Sequence, residues 1–297
     1  MMAMIGCKKE EAETKNTYKI KFVANGGIGE MQSQIFYGGD SITLAKNMFT
    51  RSGYTFCGWY TLEKETYYDG QKVKLNSDIT LYARWFSENG NGEINGYKYV
   101  DLGLPSGLLW ATCNVGSNAP EDYGAYYAWG EIIDKDYYSW STYKYCFDGR
   151  PDALIKYCRN IPCGHYGFTD NLTKLEESDD VAATCWGSGW RMPTYIEMQE
   201  LLDNCICTWI TWNGVKGMLF SGFNGNSIIL PSAGFRNGDG YYGVGVLGTY
   251  WSSSLYAYNN ASGSMFAMNF DLYSDHYDLG SDSRYYGKSV RPVCFAN

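Results

Sequence analysis

The sequence predicts an α+β chain of two units, built from short strands and long loops with few helices, and three observations carry that prediction. From Tyr18 to Trp85 apolar and polar residues alternate in short runs, the period-two pattern of half-buried strands. Later, Thr194-Tyr195-Ile196-Glu197 follows Pro193 in the form of a helix start, with Met198, Leu201 and Leu202 at the spacing of one apolar face. The composition, 28 Tyr, 10 Trp and 35 Gly against 7 Pro in 297 residues, suits tight turns and large irregular loops. That length allows two modest domains, each with its own core.

The chain opens with Met1-Met2-Ala3-Met4-Ile5-Gly6-Cys7, a short apolar stub, followed by the charged run Lys8-Lys9-Glu10-Glu11. This resembles the end of a bacterial lipoprotein signal, and the charges after it resemble the surface-export signals of Bacteroidota lipoproteins. The resemblance implies cleavage before Cys7, lipidation of its thiol, and a tether over residues 8–17. The stub is shorter than a full signal of roughly 15 to 30 residues. No apolar run approaches the roughly 20 residues of a spanning helix, so the membrane is reached through the lipid alone.

The first unit runs over residues 18–86. Tyr18-Lys19-Ile20-Lys21-Phe22-Val23, Gln34-Ile35-Phe36-Tyr37, Tyr54-Thr55-Phe56 and Ile79 to Trp85 read as strands, and Asn25-Gly26-Gly27, Gly38-Gly39-Asp40 and Asp69-Gly70 as turns. The ordered set Tyr37-Gly38-Gly39, then Ser52-Gly53-Tyr54-Thr55-Phe56-Cys57-Gly58-Trp59-Tyr60, then Leu81-Tyr82-Ala83-Arg84-Trp85 closely resembles the Listeria–Bacteroides, or internalin B-type, repeat. The resemblance implies a β-grasp-like spacer without chemistry of its own, in which Gly53, Gly58 and Trp59 are turn and core residues.

Residues 87–95, polar and rich in Gly and Asn, read as a linker. The second unit covers 96–297. It opens with two short strands around Pro105-Ser106-Gly107, contains the helix from 195, and continues with strands at 217–220, 227–231, 248–254, 265–270 and 287–294. Gly189-Trp190-Arg191-Met192-Pro193-Thr194 ahead of the helix, Tyr250-Trp251-Ser252-Ser253-Ser254 and Gly287-Lys288-Ser289-Val290-Arg291-Pro292-Val293 resemble the Fibrobacter succinogenes major paralogous domain. That resemblance implies a C-type-lectin-like fold, related to formylglycine-generating enzymes.

A net charge of −8 argues against nucleic acid, whose binding needs a basic stripe. The formylglycine-generating enzymes that the second unit's resemblance implies as relatives use a closely spaced Cys pair near the C-terminus, whereas Cys294 is the only Cys after Cys207. The two histidines, His165 and His276, offer little base for a Cys nucleophile. The Cys spacings, five residues from Cys158 to Cys163 and two from Cys205 to Cys207, favour structural thiols or disulfides over a zinc site. The calcium-ligand motifs of lectins with this fold are missing, and Asp271, Asp275, Asp278 and Asp282 read as a solvated acidic loop. The expectation is therefore no catalysis, no metal and no cofactor.

The strongest signal is compositional. From Arg236 to Tyr286, 33 of 51 residues are Tyr, Asn, Ser, Asp or Gly, and Gly217 to Gly287 contains no Lys, Glu or Gln. Tyr supplies rigid amphipathic contact area and Ser, Gly and Asn adaptable hydrogen bonds, as in antibody loops. Tyr250, Trp251, Phe266, Met268 and Phe270 belong to the core, and Tyr241, Tyr242, Tyr256, Tyr258, Asn259, Asn260, Tyr273, Asp275, Tyr277, Asp278 and Tyr285 form the expected ligand-binding face. C-type-lectin-like domains are the usual targets of diversity-generating retroelements, whose adenine mutagenesis of Asn codons yields Tyr, Ser, Asp and Gly but no Lys, Glu or Gln. The reading is a lipid-anchored, exported surface protein, in the outer membrane or on the cell surface, whose partner is a glycan or a surface protein. The alternatives are a structural envelope or fimbrial component and a sulfatase-modifying-type enzyme.

Overall fold

The computed structural model describes residues 16–256 and 262–295, so Cys7, Tyr258, Asn259 and Asn260 lie outside the described residues. The first unit contains β1 (Thr17–Val23), β2 (Gln34–Tyr37), β3 (Ser41–Thr43), β4 (Thr55–Tyr60), β5 (Thr66–Tyr67), β6 (Lys72–Lys74) and β7 (Ile79–Phe86). β1 pairs antiparallel with β2 and parallel with β7, and β4 runs antiparallel along the far side of β7. The alternation of β1 works as read: Ile20 and Phe22 are buried while Lys19 and Lys21 face out. They enclose Trp59, whose ring lies 5.1 Å from Phe22, 4.8 Å from Phe56 and 6.1 Å from Phe49. Gly58 sits where the register of β4 shifts, at φ +108°, and a Cβ there would lie 2.7 Å from the Tyr67 carbonyl.

The stretch read as a linker is ordered structure. Residues Gly92–Ile94 form β8, which pairs with β9 (Tyr97–Asp101). Ile94 packs on the core and its carbonyl accepts from Trp190 Nε1 at 3.0 Å, and the asparagines add further ties. Asn91 donates to the Tyr54 hydroxyl at 2.6 Å and accepts from the Asp101 amide at 2.8 Å, and Asn95 donates to the carbonyls of Trp186 and Ser188.

Beyond it come β10 (Leu109–Ala111), α1 (Val181–Trp186), α2 (Tyr195–Asn204), β11 (Cys205–Trp212), β12 (Val215–Gly222) and β13 (Asn226–Pro231). The chain ends with β14 (Phe235–Asn237), β15 (Gly240–Tyr242), β16 (Gly248–Leu255), β17 (Phe266–Leu272), β18 (Tyr277–Ser283) and β19 (Val293–Cys294). β10 pairs with both β9 and β19, so the start and finish of this unit meet in one sheet. α2 begins at the expected capping box, with Thr194 Oγ1 accepting from the Glu197 amide and the Glu197 carboxylate from the Thr194 amide. Among the described residues six tryptophans are fully buried, and Cys57, Cys113, Cys146, Cys158, Cys185, Cys205, Cys207 and Cys294 are thiols outside any disulfide.

The two units share a sheet, which the reading of a spacer followed by a separate head does not contain. The end of β7 pairs parallel with β13, Trp85 with Asn226 and Phe86 with Ser227, giving the order β11-β12-β13-β7-β1-β2. Parallel pairing between segments as distant in sequence as Trp85 and Asn226 leaves no local trace in the periodicity. The joint is reinforced by the Trp85 amide donating to the Gly225 carbonyl at 2.8 Å and the Tyr60 hydroxyl to the Phe223 carbonyl at 3.0 Å.

Candidate ligand-binding face

The sheet β16-β17-β18 has two faces because successive side chains alternate. One face carries Tyr250, Phe270, Leu272 and Leu279 into the core, against Met198, Leu201 and Leu202 of α2. The other carries Asn269 and Asp271 on β17 opposite Gly280 and Asp278 on β18, with Asp282 further along. Gly280 leaves this row open: a Cβ there would stand 3.7 Å from Asn269 Oδ1, 3.8 Å from Asp271 Oδ2 and 4.0 Å from Asp278 Oδ2.

Lys288 balances the row from below. Its side chain is fully buried, its ammonium is paired with the Asp282 carboxylate, lies 3.9 Å from Asp271 Oδ1, and sits 4.7 Å over the Trp251 ring. A buried ammonium is tolerable only with such partners. Nothing in the composition pointed to Lys288, which lies in a stretch whose periodicity marks only a strand. Among the described residues no three His, Cys, Asp or Glu side chains converge as metal ligands.

The expected contact residues divide around this row. Burial raises the Tyr273 hydroxyl pKa, and Asp271, Asp282 and Asp278 add to the rise; burial also raises that of Tyr285, with Tyr286 and then Asp282 adding to it. Tyr273 and Tyr285 thus both feel the charge of Asp282, and Tyr273 that of Asp278 as well. From Tyr285 a chain of rings continues: Tyr286 at 4.7 Å, Phe235 at 5.3 Å from Tyr286, and Tyr242 stacked on Phe235 at 5.5 Å. Tyr241, the preceding residue of β15, points to the other side of the hairpin from Tyr242, exposed, under the Arg236 guanidinium at 4.6 Å and edge-on to Tyr126. Trp140 closes the far side of Tyr285 at 5.2 Å.

Three more residues sit apart. Tyr277 turns to the opposite face, as its odd position in β18 requires, where burial raises its hydroxyl pKa and Cys207 and Asp203 add to the rise. Asp275 is at the exposed tip of the β17–β18 hairpin, paired with His276 Nδ1 at 2.7 Å, while the His276 ring stacks on Tyr273 at 4.3 Å. Tyr256 is half-buried at the Tyr285 end of the sheet, edge-on to Phe266 at 6.3 Å. Asp271, Asp278 and Asp282, read as part of a solvated acidic loop, lie on the strands β17 and β18, where the alternation along both could have placed them; Tyr286 and Phe235 join the face without having been read for it.

This surface is chemically equipped to hold a ligand. Ring faces stack on apolar C–H surfaces or pack a partner's side chains, while the hydroxyls and carboxylates around them take hydrogen bonds. His165, the second histidine, is in the long loop region between β10 and α1, its ring packed between Phe147 at 4.0 Å and Tyr166 at 4.2 Å. No curated protein and no solved structure matches the chain. Residues 18–84 match the model of the Listeria-Bacteroides repeat domain, so the first unit is a repeat of that kind.

Proposed function

We propose that the protein is an exported surface lipoprotein, anchored through Cys7, that binds a glycan or a protein on the face running from Tyr273 to Tyr285. The C-terminal unit is of C-type-lectin-like fold in this reading, the repeat is its β-grasp-like support, and the face is a site for retroelement diversification. The observation that carries the proposal is the row of Asp271 and Asp278 on β17 and β18, with Asp282 further along and paired to the buried Lys288, together with the ring chain from Tyr285 through Tyr286 and Phe235 to Tyr242. Aromatic rings bordered by hydrogen-bonding groups and held on paired strands are what a binding surface needs to be both adhesive and pre-organised.

The test is a glycan array together with capture of isolated cell-surface proteins by the full chain. Tyr273→Ala and Tyr285→Ala should each weaken a hit by roughly tenfold or more, as truncation of a central aromatic anchor does. Tyr277→Ala, on the opposite face, should leave the hit unchanged. Equal losses in all three variants, or none, would remove the face from the proposal. A near-copy of the C-terminal coding segment beside a reverse transcriptase gene is the observation that diversification requires.

A further inference from the structure

The shared sheet curls round so that β4 and β11 approach each other and leave a gap. β7 holds β4 on one side and β13 on the other, and β12 and β11 follow from β13, with β11 last in the order. Side chains from all five strands meet inside the curl: Phe86, Leu219 and Ile229 are buried there, with Cys57, Ile210 and Trp212 packed on them. The rings of Phe86 and Trp212 are 4.7 Å apart. Arg84 closes one end, bonding Thr208 on β11 and the Cys57 carbonyl on β4 together, and Lys64 donates to the carbonyls of Leu202 and Asp203 just before β11.

Past Arg84 the edges separate around a cleft of about 480 Å³, lined by the consecutive residues 56–58 on one side and 209–212 on the other, with Tyr68 and Asp69 at its rim. Consecutive lining residues mean that the cleft runs along strand edges, since a strand face would contribute only alternate ones. The hairpin after β11 fixes which backbone groups point into it. Asn213 and Gly214, at φ +47° and +83°, form a two-residue turn of type I′, which makes Trp212 and Val215 the closing pair. A closing pair of this kind exchanges both its hydrogen bonds, so Trp212, Ile210 and Thr208 bond to β12, while Trp209 and Thr211 turn their N–H and C=O groups outward, to the cleft.

We propose that this cleft is a strand-addition site that takes an extended segment of a partner polypeptide. A strand is the occupant because it alone supplies donors and acceptors to the Trp209 and Thr211 backbone along the edge while filling an apolar floor with every second side chain. Four residues, 209–212, line that wall, or about 13 Å of extended chain. Asp69 is the one charged residue of the lining; its Oδ1 accepts from the Asn47 amide at 2.7 Å. The fitting segment is therefore apolar at alternate positions, free of acidic residues and basic at the position that reaches Asp69. The site lies on the joint between the units and is independent of the tyrosine face.

The probe is an acetylated, amidated hexapeptide of alternating Val and Thr with one Lys in place of a Thr, titrated against the full chain beside the same peptide with a central Pro. Thr211→Pro deletes one outward N–H, a change that edge strands tolerate, and Thr211→Ala retains it. Binding should survive in Thr211→Ala, fall about tenfold in Thr211→Pro, the scale of a lost edge hydrogen bond with its neighbours displaced, and vanish for the Pro-containing peptide. Asp69→Asn should weaken the Lys peptide and spare an all-Thr version, which tests the site even if Thr211→Pro lowers the denaturation midpoint. Undiminished binding to Thr211→Pro with its midpoint intact, or no binding of the alternating peptide up to about 1 mM, would overturn the proposal. A self-association that Thr211→Pro dissolves would overturn the choice of occupant in favour of a second copy of this chain.

Discussion

The guanidinium of Arg84, on the last strand of the repeat, donates to the hydroxyl of Thr208, 124 residues further along the chain, at 2.6 Å, and both residues are buried. A repeat joined to its neighbour by a buried bond and a common sheet cannot unfold alone without exposing the Arg84 pocket and the Phe86–Trp212 contact.

Thr208→Val keeps the shape and removes the acceptor. It should cost about 1–3 kcal/mol, the penalty of a buried donor left without a partner. Urea unfolding should remain a single transition when followed separately by Trp fluorescence and far-ultraviolet dichroism. Two separated transitions would show that the shared sheet does not couple the units.

Replacing Thr194 by Ala removes the acceptor that caps α2 and should lower stability by about 1 kcal/mol, read as a fall in the denaturation midpoint. Glu197→Gln should cost more than that, because Glu197 also receives both arms of Arg191, at 2.7 and 2.5 Å.

Asp179 gives the chain an acid-sensitive interior. Burial works against its charge, yet hydrogen bonds from Lys156 at 2.6 Å and Tyr157 at 2.7 Å, with Tyr145 close by, hold its carboxyl down to about 2. A carboxyl lowered in the folded state adds stability above its unfolded pKa near 4, and that contribution is lost as pH falls from about 4 through about 2. Asp179→Asn should flatten the stability profile in that window; a profile as steep as that of the parent would assign the acid response to other carboxylates.

Gly58→Ala should destabilise the repeat by about 1–3 kcal/mol, since it asks an L-residue to hold φ +108° with its Cβ 2.7 Å from a carbonyl oxygen. Gly53→Ala, at φ +77° with open space around its Cβ position, should cost less. The difference between the two midpoints separates the close approach from the backbone conformation.

The features legible in the sequence obey local rules. Alternation placed Ile20 and Phe22 inside β1, the Pro105-Ser106-Gly107 turn joined β9 to β10, and Thr194 with Glu197 began α2 where it starts. The register between β7 and β13 escaped, because Trp85 and Asn226 meet through tertiary packing that no local window contains. The 87–95 stretch escaped for a related reason: Asn91 and Asn95 order it by bonding distant backbone and hydroxyl groups, so its polarity resembles that of a free linker. Composition named Tyr277 and Asp278 together as expected contacts, and one step of the β18 pleat puts the two on opposite sides of the sheet.

The parallel pairing of β1 with β7 has a mechanical consequence. Tension applied to the start of β1 at Thr17 and resisted by the C-terminal unit at Phe86 pulls the two strands lengthwise past each other. Their hydrogen bonds, Ile20 through Val23 against Ile79 through Tyr82, then bear the load together instead of opening one after another. Under such a load the repeat would act as a shear clamp, yielding only when the whole β1–β7 ladder gives way at once.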